Sequence, residues 1–160
     1  MQADVPTLEP AATVQPFAIP LRRRDDVALA ELIAGYRPHG GLASTDEVVG
    51  LMRPHWRQPI SILSKWIIGR KVVSFMSRTQ FLLPVFQFVG PQMTPDEAVS
   101  DCSVELADLM GVEAFAAWFV RPCEWLGQRM PVDLLAKDPD AVVDAAGRTR
   151  LALMACRLFD

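Results

Sequence analysis

Residues Trp118–Leu135 read WFVRPCEWLGQRMPVDLL. The aromatic pair Trp118-Phe119 predicts the end of a helix, because Pro122 follows and cannot continue one. Trp125-Leu126-Gly127 then makes an apolar turn, and Pro131 opens a new helix that carries Leu134 and Leu135. The stretch is a helix–loop–helix corner with large apolar side chains on both arms and in the loop. It holds no nucleophile–base pair and no metal-ligand pattern, so its chemistry is that of a packing element or a binding platform.

Downstream, a short helix runs from Pro131 to Ala136, and Asp138-Pro139 caps a last one with Val142, Ala145, Ala146 and Leu153 on its face. Gly147 weakens that helix in the middle, at a cost of about 1 kcal/mol relative to Ala. Its end, Leu151 to Phe159, is more apolar than a free tail should be, so it packs on this chain, in a dimer, or on a partner. Upstream, Gly90-Pro91 is a natural boundary. Thr94-Pro95-Asp96-Glu97 predicts a helix start with Thr94 as the cap. Val99, Cys102, Leu106, Leu109 and Met110 line that helix to Gly111, and Val112, Phe115, Trp118 and Phe119 line the next.

The first half has a different texture. Residues 1–24 contain Pro6, Pro10, Pro16 and Pro20 and read as an extended arm with a basic run, Arg22–Arg24, that could touch phosphate. From Asp26 the spacing of Leu29, Leu32, Ile33 and Tyr36 is helical, and Gly40-Gly41 breaks it. Ser44 and Glu47 stand at capping-box spacing ahead of a short helix that ends before Pro54. Pro59 opens a third helix, whose broad apolar face is drawn from Ile60, Leu63, Trp66, Ile67 and Ile68, with Gly69 as its end. The period then changes to two β-like runs, 72–75 and 80–83, around a polar turn at 76–79. Two short helices and a hairpin outline a helix-turn-helix with a β-wing, in which the second helix enters the major groove of DNA.

Charge is distributed to match. Residues 48–95 carry six basic side chains and no acidic one, whereas residues 96–160 carry six basic and twelve acidic ones. Lys65, Arg70, Lys71 and Arg78 fall on the second helix, just after it and at the wing tip, where phosphate contacts belong. The chain contains no Asn, so Gln58 and Gln80 are the remaining amide candidates for base edges. Three widely spaced cysteines and two histidines complete no metal pattern. No phosphate-binding glycine loop, nucleophile elbow or HExxH is present, so neither an enzyme nor a cofactor is expected. With no secretory leader and no apolar run near the roughly 18 residues of a membrane span, the expected location is the cytoplasm.

With these elements in place, residues 112–146 resemble the toxin-binding domain of the Xre/MbcA/ParS-type antitoxins. That motif runs W-[LF]-x-x-P-N-x-x-L-G-G-x-x-P-x-x-L-L, followed by an Ala-rich helix after an acidic turn. Trp118-Phe119, Pro122, Leu126-Gly127, Pro131 and Leu134-Leu135 stand at its positions without a gap. Cys123 replaces the usual Asn and Gln128 the usual second Gly, which alters the corner's capping and its tight turn. Upstream, Trp66 and Pro84-Val85-Phe86-Gln87-Phe88 are similar to the DNA-binding-like region that precedes this domain in related proteins. The resemblance implies a bacterial type II antitoxin, homodimeric, that represses its operon and binds a protein toxin, commonly a RES-type NAD-degrading enzyme. A solitary interaction module of the same fold, without toxin or DNA site, is the alternative.

The expected architecture is therefore mainly α with a small β-hairpin. A Pro-rich arm (1–24) precedes a winged-like helix-turn-helix module (25–92) and a small helical toxin-binding domain (93–160). The resemblance implies toxin contacts from the corner loop, namely Cys123, Trp125, Gln128 and Arg129. From the last helix it implies Arg148, Arg150, Arg157 and Phe159.

Overall fold

The computed structural model describes the backbone over residues 21–160 and side chains from residue 26 onward. The chain is mainly helical with a small antiparallel sheet. Of the expected arm over 1–24, residues 1–20 lie outside the described residues, and 21–24 belong to a helix instead. Helix α1 (Leu21–Tyr36) is already formed at the first described residue, five residues before the start that Asp26 suggested. Nothing between Leu21 and Asp25 opposes a helix, so the acidic pair does not mark its start.

Gly40 and Gly41 break the chain as expected, both with left-handed φ (91° and 76°). Strand β1 (Leu42–Ser44) follows, an element too short to show a period of its own. Ser44 then caps α2 (Thr45–Met52): its hydroxyl accepts from Glu47 N–H at 3.2 Å, and its own N–H donates to the Glu47 carboxylate at 2.7 Å. Helix α3 (Pro59–Ile68) has Pro in its first turn and Gly69 at its C-terminal cap. The hairpin is β2 (Phe75–Ser77) and β3 (Gln80–Pro84), joined by Arg78-Thr79. β3 pairs antiparallel with β2 (Phe75 opposite Leu82) and with β1 (Leu42 opposite Pro84), giving the order β1-β3-β2.

Val72 and Val73 lie outside the hairpin they were expected to open. Both are buried, and the Val73 backbone takes a side-chain partner instead. Its N–H donates to Gln87 Oε1 at 2.6 Å and its carbonyl accepts from Gln87 Nε2 at 2.9 Å, so one amide replaces a strand. Strands β4 (Phe88–Val89) and β5 (Thr94–Pro95) form a second small ladder. Thr94 is therefore in a strand, and Asp96 caps α4 (Glu97–Leu106) by accepting from Ala98 N–H at 2.8 Å. Helices α5 (Val112–Trp118), α6 (Pro131–Leu134) and the 20-residue α7 (Pro139–Leu158) complete the chain. Gly147 does not interrupt α7, which packs extensively on α4.

Two apolar clusters result. The smaller joins Val48, Val49 and Met52 of α2 with Leu63 of α3, Ala43, Val72 and Leu83. The larger gathers α4 to α7 and also takes Leu32 and Tyr36 from α1, so the first helix packs with the last ones. Tyr36 is fully buried and its hydroxyl donates to the Ala116 carbonyl. Its ring stacks on Phe86 at 5.6 Å, Phe86 meets Phe119 at 5.3 Å, and Phe119 meets Phe115 and Trp118 at 5.2 and 5.1 Å. This aromatic chain ties the hairpin module to the corner. A Cβ at Gly35 would stand 2.9 Å from Val120, so glycine permits the close approach of α1 to the corner.

Candidate functional site

Helix α3 is held by apolar packing, which leaves one of its sides free. Leu63 faces the smaller core, Trp66 meets Trp56 edge-on at 5.8 Å, and Trp56 Nε1 donates to the Gln92 carbonyl at 2.6 Å. Of the five apolar side chains expected to form its inner face, Leu63 alone is buried, while Ile60 and Ile68 are exposed. The face is narrower than the composition of the helix suggested, because a short helix at the molecular edge meets its neighbours along one line.

Cations are spread along this half of the chain, and two of them, Arg57 and Lys65, line one side of α3 together with Ser61. Lys65, Arg70, Lys71 and Arg78 are all exposed, and so are Arg53 and Arg57 on the turn before α3. None of the six takes part in an ion pair among the described residues. The last two belong with the site although spacing did not single them out. The signal was the absence of any acid over residues 48–95, which leaves every cation of that stretch without a local partner.

Backbone geometry sharpens the placement. α3 ends in a Schellman motif: Lys71 N–H donates to the Trp66 carbonyl at 2.9 Å and Arg70 N–H to the Ile67 carbonyl at 3.2 Å. The left-handed position, where glycine is usual, is Arg70 at φ 55°. Arg78 at the hairpin turn also has φ 55°. Such conformations cost a non-glycine residue about 1–2 kcal/mol and cluster where function demands a particular side chain.

The corner forms as expected and distributes its residues unequally. Cys123 is buried in the main core, so its thiol is not part of an exposed contact loop; its N–H bonds to the Arg129 carbonyl at 3.1 Å. The Gln128 N–H returns to the Cys123 carbonyl at 2.9 Å, closing the turn. Gly127 and Gln128 are both left-handed, at φ 64° and 66°. Gln128 thus adopts a conformation that favours glycine, and the turn closes with it.

Of the arginines on α7, two act within the chain. Arg150 Nη1 donates to the Glu105 carbonyl at 2.8 Å and pairs with Asp108 at 3.0 Å, and Arg157 Nη2 donates to the Leu109 carbonyl at 2.7 Å. Both satisfy carbonyls at or beyond the end of α4, so they brace α7 and are not free contacts. The hydrogen bond from Arg150 holds the Asp108 carboxyl below the usual carboxylate range. Arg148 lies with its guanidinium 5.9 Å from the Trp125 ring centroid, and its Nε donates to Asp144 at 2.8 Å. Trp125 is 42% exposed and Phe159 90%. Leu151 and Leu158 are exposed between them, and Arg129 Nε donates to the Leu126 carbonyl at 3.1 Å. Trp125, Gln128, Arg129, Arg148 and the apolar end of α7 are therefore exposed, Cys123 is buried, and Arg150 and Arg157 are engaged with carbonyls of their own chain.

Among the described residues no three His, Cys, Asp or Glu side chains gather to hold a metal ion, and no helix is long and apolar enough to cross a membrane. Comparison of the chain with protein-family models, curated proteins and solved structures returned no match.

Proposed function

We propose that this chain is an antitoxin-type regulator that binds DNA through α3 and the β2–β3 hairpin and a protein toxin through the corner and α7. The observation that carries the reading is a frame of six exposed cations on α3, on its flanks and at the hairpin tip, none of them in an ion pair among the described residues and two of them, Arg57 and Lys65, lining one side of α3. The element order α1-β1-α2-α3-β2-β3, with the sheet order β1-β3-β2, supports a winged helix-turn-helix in which α3 is the recognition helix. A polyanion satisfies that frame, and the neighbouring acid-rich half disfavours a second polyanion site there.

The protein-partner half of the proposal rests on the corner motif and on Trp125 with Arg148, an aromatic–arginine pair of the kind that anchors interfaces. A RES-type toxin is the partner that the antitoxin resemblance implies, and a homodimer suits a two-fold operator. If six phosphates are neutralised, affinity for the protein's own promoter falls by about 10³ between 50 and 200 mM salt. A gel shift measures it, and Arg70→Ala with Lys71→Ala lowers the salt slope by about 2. Binding indifferent to salt and to both substitutions refutes the DNA role. Co-expression with the protein of the neighbouring gene tests the other half: failure to rescue growth refutes the antitoxin role.

A further inference from the structure

One side of α3 is exposed and largely apolar. Ile60 is 64% exposed and Ile68 81%. Ser61, Ser64 and Lys65 are exposed between them, and Lys65 is the one charged group of the helix. Within α3 this side carries no Arg, Asn or Gln with which to make a bidentate contact to guanine or adenine, and Gln58 at its N-cap is the nearest amide. What it offers to a base edge is two branched apolar groups, two hydroxyls and the Lys65 ammonium.

We infer that α3 reads the C5-methyl groups of thymine in the major groove through Ile60 and Ile68, with Ser61 and Ser64 bonding to adjacent base edges. The inference rests on the DNA-binding reading above and specifies what that binding recognises. Thymine is the base that presents an apolar group in the major groove, and aliphatic side chains pack on it. Ile60 and Ile68 are eight positions apart, about 12 Å along a helix, which spans three to four base-pair steps. The two isoleucines also lie outside the core, so their exposure serves no packing within the chain. Lys65 on the same side and Arg57 beside it make a nucleic acid the fitting occupant, since an apolar protein surface gains nothing from unpaired positive charges.

The test uses the full chain and four short duplexes: alternating dA·dT, the same with dU for dT, alternating dG·dC, and the same with 5-methylcytosine. Removing each contacted methyl weakens binding about fourfold, so dU costs about fifteenfold if both isoleucines are engaged. Adding the methyl to cytosine tightens binding to the G·C duplex. The double substitution Ile60→Ser with Ile68→Ser abolishes both methyl effects and keeps the salt dependence. Equal affinity of the unaltered chain for the dT and dU duplexes overturns the inference, and so does a methyl preference that survives in the variant. The duplex series on the unaltered chain decides the question even if the variant does not fold. Salt-dependent binding without methyl discrimination sinks this inference alone, whereas no salt-dependent binding to any duplex sinks the DNA-binding reading with it.

Discussion

Gln87→Leu is the substitution whose cost follows most directly from the structure. Gln87 is fully buried, and its amide takes both the N–H and the carbonyl of Val73, which is itself 2% exposed. Leucine has similar bulk but neither donor nor acceptor. The variant therefore strands two backbone groups out of reach of water. Each stranded group costs about 1–3 kcal/mol, which makes a loss of about 2–5 kcal/mol after the apolar gain of leucine is set against it. That is a large share of the about 5–15 kcal/mol that holds a typical domain. Urea unfolding followed by tryptophan fluorescence measures it as a lower midpoint at unchanged slope. Val73 follows Arg70 and Lys71 by a few residues, so under the proposed DNA-binding role affinity for DNA should fall too, at temperatures where the variant is still folded. A loss under about 0.5 kcal/mol, with the Val73 amide still protected from hydrogen exchange, would refute the reasoning, since it would mean that the backbone finds other partners.

Gln128→Gly removes a left-handed non-glycine residue and is expected to stabilise the chain by about 1 kcal/mol, raising Tm by about 2–4 °C; an unchanged or lower Tm contradicts the strain argument. Trp118→Ala is expected to cost a few kcal/mol, about 3, through loss of its packing on Phe119; unchanged melting would mark Trp118 as a partner contact. Burial, with smaller contributions from Asp101, Asp96 and Glu105, pushes the Cys102 thiol up to about 12 from 9.0. The unfolded chain then releases its proton first. Stability is full below pH 9 and falls by about 1 kcal/mol per pH unit above it, towards pH 12. In Cys102→Ala this slope should flatten between pH 9 and 10, before the raised Tyr36 hydroxyl adds its own loss; parallel curves for the two proteins would discount the thiol.

Much of the architecture was legible along the chain because its signals are local. The Ser44–Glu47 box, Pro59 and Pro131 in first turns and Asp138 with Pro139 each act within one helical turn, and each starts a helix where expected. The corner closes on bonds that span a few residues, so its motif could be read directly. The cationic frame was legible too, since a stretch without acids cannot pair its bases nearby. Local signals failed where two of them competed. Thr94 lost the cap to Asp96 because β5 claims Thr94 for the ladder with Val89.

Tertiary structure decided what depends on residues far apart in sequence. Arg150 meets Glu105 across 45 positions and Arg157 meets Leu109 across 48, which turns two candidate contacts into braces. Tyr36 reaches Ala116 across 80, which places the first helix in the core of the last ones. Cys123 is buried, and Ile60 and Ile68 are exposed, by the directions from which neighbouring helices approach. Composition and spacing specify how a segment coils and where it stops, because those energies arise within about four residues. Which face meets the core, and which is left for a partner, is settled by packing between segments, and no local pattern encodes it.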